Sequence, residues 1–199
     1  MSLSTHIHQF ISGTGVPLVL LHGSGGDERD LIPLAAELAP GAPTLAIRGT
    51  VAIDGGFAFF HRNADRTIDE ADITARIPPL LAFINADHGF AGPPIVIGFS
   101  NGAIMAAALV MTHPTAFTGA ILFRPLSPFL TDTPSGLDRT PILIIDGAKD
   151  SRRSPGDGAR LAERLILAGA AVTHHVLPVG HSITDRDSAL ARDWLTGQR

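Results

Sequence analysis

The chain has 199 residues, of which 45% are hydrophobic and only 17% charged, a balance that suits one well-buried core and excludes disorder over the bulk of it. With 15 basic against 19 acidic residues and no cysteine, nothing points to nucleic acid, and disulfides, thiolate catalysis and cysteine-based metal centres are excluded. No apolar run reaches the roughly 18 to 20 residues of a membrane span, and the opening Met1-Ser2-Leu3-Ser4-Thr5 lacks the basic flank and apolar run of a secretory leader, so no membrane partner is expected and the expected location is the cytoplasm.

Taken in chain order, Thr5 to Ile11 alternates and reads as an edge strand, with His6 and His8 as a surface pair on one face. Val16 to Leu21 is a buried strand stopped by His22-Gly23, and Leu31 to Leu38 is a helix with Asp27 and Asp30 upstream as caps. Pro43 to Ile47 is a second short strand. The region 48–67 is irregular. Asp69 to Asp87 reads as a helix opened by Asp69, Glu70 and Asp72, which Pro78-Pro79 should kink or delay. Pro94 to Phe99 is a strand, and Ala103 to Met111 a helix apolar on all sides, hence buried. Strands follow at Thr118 to Phe123, Pro141 to Ile145 and Ala171 to Leu177, with helices at Gly158 to Leu167 and Thr184 to Leu195. Continuously apolar strands separated by helices describe an α/β fold, a mostly parallel central sheet with helices on both faces, expected as a single domain over 1–199.

In such a sheet, ligands bind beyond the carboxyl ends of the strands. Those ends carry Ser100 in Gly98-Phe99-Ser100-Asn101-Gly102, Asp146 and Asp150 after the 141–145 strand, and His181 after Gly180. The G-x-S-x-G run lies between a strand and a buried helix, the setting that presents a serine oxygen above the sheet. His181 can act as its base and Asp150 can orient that histidine. Asp146, at the strand end itself, is the less favoured carboxylate. The glycine-rich turn His22-Gly23-Ser24-Gly25-Gly26 offers the Ser24 N–H as an oxyanion donor beside that of Asn101. It is not a dinucleotide loop, because Glu28 stands where G-x-G-x-x-G needs its last glycine. The only lysine is Lys149, followed by Asp150, so a phosphate-binding GxxxxGK[ST] loop is absent. Phe57, Phe60 and Phe129 lie in loops at the active end and either plug the core or line an apolar substrate pocket. No cofactor and no metal site are expected.

Five ordered segments resemble the α/β-hydrolase superfamily in its phospholipase/carboxylesterase branch: LHGSGGDERDLIPLA, RGTVAIDGGFAFFHR with TIDEADI, GFSNGA, DGAKD and VGH. The resemblance implies the α/β-hydrolase fold and a serine esterase with Ser100 as nucleophile, Asp150 as acid and His181 as base. It also implies backbone oxyanion donors at Ser24 and Asn101. It is greatest to small bacterial esterases, including hydrolases linked to quinone and hydroquinone stress. Dienelactone hydrolases, whose nucleophile is a cysteine, and acyl-protein thioesterases, with glutamine after the serine, are more distant. About sixteen residues separate Phe123 from Thr140, where many relatives insert a helical lid. An open, lidless site and short-chain acyl esters as small-molecule substrates are therefore expected, for a chain acting alone or as a homodimer. The alternatives are thioesterase or lysophospholipase-like activity, or a non-catalytic binding protein on the same fold.

Overall fold

The computed structural model describes residues 6–65, 67–130 and 136–197. Its centre is a seven-stranded sheet built from β1 (His8–Ile11), β2 (Leu18–Leu21), β3 (Thr44–Ile47), β6 (Ile95–Phe99), β7 (Gly119–Phe123), β8 (Pro141–Gly147) and β9 (Ala171–Leu177). The strands lie in the order β1-β3-β2-β6-β7-β8-β9. Only the edge strand β1 runs antiparallel, against β3. The inner strands are apolar on both faces because both faces are covered. Helices α2 (Glu70–Ile84), α3 (Asn101–Thr112) and α4 (Asp157–Leu167) pack on one side, against Val19, Val96, Leu122 and Ile144. Helices α1 (Ile32–Leu38) and α5 (Asp185–Gly197) pack on the other, against Leu20, Ile97, Ile121 and Leu143. Helix α3 is buried from Asn101 to Met111, so its all-round apolar sequence has a partner on every side.

Four local expectations are corrected. Helix α2 runs unbroken through Pro78 and Pro79. Both prolines lie on its exposed side, where the carbonyls they leave unpaired meet water, while Ile73, Ile77, Leu80 and Phe83 form the buried stripe. Neither Asp27 nor Asp30 caps α1, whose N-cap is Leu31; the Asp27 carboxylate accepts from Arg29 instead. His6 is not a surface residue: it is buried, with its ring 5.0 Å from that of Phe83, and His8 packs on the same phenyl ring. The stretch 48–67 contains a hairpin, β4 (Val51–Ile53) and β5 (Gly56–Ala58), closed by Asp54-Gly55. Asp-Gly is a two-residue hairpin turn signal. The hairpin folds over the loop after β2, where Gly56, at φ 147, leaves no room for a side chain against the Gly25 carbonyl.

Thr5, at the start of the expected edge strand, lies outside the described residues, as do 131–135 between β7 and β8. The described part of that connection folds inward, with Phe129 and Leu137 buried in the core. Among the described residues no helix is long and apolar enough to cross a membrane.

Candidate active site

Ser100 sits between β6 and α3 with φ 54 and ψ −108, a sparsely populated conformation for a residue with a side chain. The surroundings enforce it. The Ser100 N–H donates to the Phe123 carbonyl at 2.9 Å. A side chain at Gly102 would overlap the carbonyls of Leu21 and His22, and one at Gly98 would overlap the backbone of Gly102 and Ala103. The glycines of G-x-S-x-G are thus required by close approach, and the serine oxygen is left pointing away from the sheet's core.

His181 follows β9 and meets that oxygen. The Ser100 hydroxyl and His181 Nε2 are 2.9 Å apart, and His181 Nδ1 donates to Asp150 Oδ2 at 2.7 Å. Because a carboxylate only accepts, Nδ1 carries the proton and Nε2 is the acceptor for the serine hydroxyl. Burial lowers the His181 pKa below its ordinary value; the Asp150 carboxylate opposes this, and Arg153 and Arg152 add to it. Phe99 supports the imidazole, with ring centroids 5.2 Å apart. The loops carrying Asp150 and His181 are sewn together, Ala148 N–H donating to Leu177 O at 2.7 Å and Lys149 N–H to Val179 O at 3.0 Å.

Asp146 is directed elsewhere. His174 Nε2 donates to its carboxylate at 2.6 Å, and that carboxylate fills the space beside Gly158 at the start of α4. The Asn101 and Ser24 amides flank the turn, and among the described residues neither has an acceptor. His22 is buried and neutral in function: its Nδ1 donates to Gly23 O at 2.7 Å and its Nε2 accepts from Gly49 N–H at 2.9 Å. Desolvation by burial lowers its pKa. It holds the loop after β2 to the loop after β3.

A model of the phospholipase/carboxylesterase family matches residues 55–196. The chain belongs to the phospholipase/carboxylesterase family. It is 33% identical to the Bacillus subtilis protein MhqD, which carries the name of a hydrolase, over 95% of this chain and 96% of that one. A carboxylesterase structure from Bacillus cereus superposes with a TM-score of 0.94 at 32% identity, covering 100% of this chain and 97% of that one. One from Mesorhizobium loti gives 0.86 at 36%, covering 93% and 90%. The fold is accordingly the α/β-hydrolase fold.

Within this phospholipase/carboxylesterase fold, two of the three expected pocket phenylalanines are corrected. Phe60 is 1% exposed and Phe129 5%, both in the core beneath α3. Their apolar rings gain more from burial than a loop position can offer. The backbone around them is anchored: the Asn101 side chain accepts from Phe59 N–H at 2.7 Å, and Arg164 donates to the Phe129 carbonyl. Phe57 is half-buried, with the Arg48 guanidinium 4.5 Å above its ring. That guanidinium is in turn paired with the buried Glu28 at 2.5 Å.

Two arginines in the site were not singled out by the sequence. Arg124, after β7, is fully buried and uses all five of its N–H groups. It makes a two-pronged pair with Asp187 at 2.7 and 3.0 Å and donates to the carbonyls of Ile145, Gly180 and Ser182. Gly180 and Ser182 flank His181, so this pair fixes the histidine loop. A signal existed in Thr184-Asp185-Arg186-Asp187, where Asp187 accepts from the Thr184 N–H at the start of α5 in the manner of a capping box. Arg153, on the loop after Asp150, donates to Ser100 Oγ at 3.2 Å.

Proposed function

We propose that the chain hydrolyses carboxylic esters through an acyl-enzyme on Ser100, with His181 as base and Asp150 as its acid partner. The observation that carries this is the continuous hydrogen-bonded line Asp150–His181–Ser100, at 2.7 and 2.9 Å, ending on a serine held in a strained turn. His181 Nε2 takes the serine proton as Oγ attacks the ester carbonyl. The Ser24 and Asn101 amides receive the developing oxyanion, and Asp150 stabilises the imidazolium. The alcohol leaves with that proton. Water, activated by the same histidine, then releases the acid. Family membership and the carboxylesterase neighbours support an ester as the substrate.

Short acyl chains fit this site best, since Phe60 and Phe129 are committed to the core. A fluorophosphonate should label Ser100 alone. In a series of p-nitrophenyl esters, each added methylene gains at most about 0.8 kcal/mol while there is apolar surface to fill, so kcat/KM should level off after a few carbons. Unlabelled Ser100, or activity still climbing at palmitoyl esters, would refute the corresponding part of this reading.

The two carboxylates should separate cleanly. Asp150→Asn is expected to lower kcat by about 10³ to 10⁴, because an amide can neither hold the Nδ1–H tautomer nor stabilise the imidazolium. Asp146→Asn, which touches only His174 and the start of α4, is expected to cost about 1–2 kcal/mol of stability with turnover nearly intact. The reverse pattern in kinetics and melting curves would transfer the acid role to Asp146.

The pH dependence follows from burial. Only neutral His181 accepts the serine proton, and its pKa is lowered, so the acid limb of kcat/KM should have its midpoint below the ordinary value of about 6.5. Stability has the same sign. His22 and His181 resist protonation in the fold, whereas the unfolded chain takes up those protons below about pH 6.5, so stability falls as pH drops through that range towards their folded values. A rate profile with its midpoint above 6.5 would contradict the burial argument.

A further inference from the structure

Arg153 is poorly explained by the triad alone. Its guanidinium is fixed on two sides by carbonyls, Nε donating to Arg124 O at 2.8 Å and Nη1 to Arg152 O at 3.0 Å. The remaining nitrogen, Nη2, faces the reacting centre and touches only the Ser100 hydroxyl, at 3.2 Å. Among the described residues no carboxylate touches the group; Asp150, the nearest acid in sequence, is engaged by His181 and by the Arg152 N–H. A half-buried cation is therefore held at Ser100 with a hydroxyl, and no carboxylate, in direct contact; Asp150, Asp157 and Asp146 act on it only through space, which leaves Nη2 a direct contact to offer an arriving anion. Burial, and then the positive charge of Arg62, lower the Arg153 pKa to about 10 against the pull of Asp150, Asp157 and Asp146, which leaves the guanidinium charged at neutral pH. Arg152 and Arg153 also oppose protonation of His181, the very change that attack by Ser100 demands. A bound anion would cancel that opposition at the moment of reaction.

Building on the proposed esterase, we infer that Arg153 is a specificity residue, and that the preferred substrates are esters carrying a carboxylate a few bonds from the scissile carbonyl, such as half-esters of short dicarboxylic acids. The reach is set by Oγ itself. The acyl carbon bonds to Oγ, so a carboxylate two or three atoms further on falls beside Nη2 and accepts from it, displacing the hydroxyl contact and leaving Ser100 paired to His181 alone. The planar guanidinium favours this partner over a neutral group.

The test compares monoethyl succinate with ethyl 4-methylpentanoate, an ester of similar shape in which a branched methyl pair replaces the carboxylate. The readout is the ratio of their kcat/KM values in the wild type, Arg153→Gln and Arg153→Lys. The wild type is expected to favour the charged ester by about tenfold or more, Arg153→Gln to lose the preference, and Arg153→Lys to keep part of it. No preference in the wild type, or one that survives in Arg153→Gln, overturns the inference. Should Arg153→Gln fail to fold, wild-type hydrolysis of the neutral ester decides. Inhibition by succinate that weakens with salt and is not reproduced by succinamide supports the inference; absence of inhibition overturns it. If neither ester is cleaved and a fluorophosphonate leaves Ser100 unlabelled, the esterase reading itself fails and takes this inference with it.

Discussion

Ser100→Ala is expected to abolish ester hydrolysis and leave the fold standing. The substitution removes one oxygen and nothing else. Alanine carries the same Cβ as serine, so the strained φ 54 and ψ −108 are no harder to hold, and Gly98 and Gly102 still admit the neighbouring backbone. The hydroxyl's two partners, His181 Nε2 and Arg153 Nη2, belong to half-buried residues, so water can replace the lost oxygen. Stability should change by no more than about 1 kcal/mol. Turnover should fall by about 10⁴ to 10⁶, because without Oγ no acyl-enzyme forms and only the oxyanion donors act on a bound ester. Steady-state kinetics beside a melting curve decide the matter. A folded variant that turns over at the wild-type rate would remove Ser100 from the mechanism.

The second large effect concerns stability. Arg124 and Asp187 are each 0% exposed and face each other in a two-pronged pair. Removing one partner strands a buried charge, at a cost of about 3–5 kcal/mol against a total stability of about 5–15 kcal/mol for a typical domain. Arg124→Met or Asp187→Leu should therefore lower Tm by roughly 6–20 °C, taking about 2–4 °C per kcal/mol for a chain of this size. The double variant removes both charges and should recover part of that loss, the remainder persisting because the carbonyls of Ile145, Gly180 and Ser182 are left without their donor. It should not recover turnover, since Gly180 O and Ser182 O, which Arg124 holds on either side of His181, still lack their donor. Recovery of kcat together with Tm would show that the pair serves the fold alone.

The strands and their order of appearance were legible because the sheet is buried on both faces, so each inner strand is an unbroken apolar run. The same rule located Ser100, Asp150 and His181 at strand ends, which the sheet brings within hydrogen-bond distance of one another. What could not be read depends on distance across the chain. The destination of Arg124 is set by a partner 63 positions away, and nothing local distinguishes it from a solvated arginine. The aromatic loop residues read equally well as pocket or plug, and only packing beneath α3 commits Phe60 and Phe129 to the core. The prolines of α2 do not end the helix because the two carbonyls they leave without a donor face water and because the buried stripe of Ile73, Ile77, Leu80 and Phe83 holds the helix on both sides of them. The 51–58 hairpin did have a local signal in Asp54-Gly55, hidden because its strands are only three residues each.

The strand order has a consequence for how substitutions in β7 should be read. Ser100 hangs from β6, whereas Asp150 and His181 hang from β8 and β9, with β7 between them. Neighbouring strands lie about 4.8 Å apart, so β7 acts as the spacer that sets the gap across which serine and imidazole meet. Ala120, Ile121 and Leu122 are all buried, and because strand side chains stand perpendicular to the sheet, added volume there presses on the covering layers, and at Ala120 and Leu122 on the side of α3, the helix that Ser100 opens. A displacement of about 1 Å at a reacting centre can cost about a hundredfold in rate. Methylene-sized changes in the middle of β7 are thus expected to move Ser100 relative to His181, and to show in turnover as well as in stability.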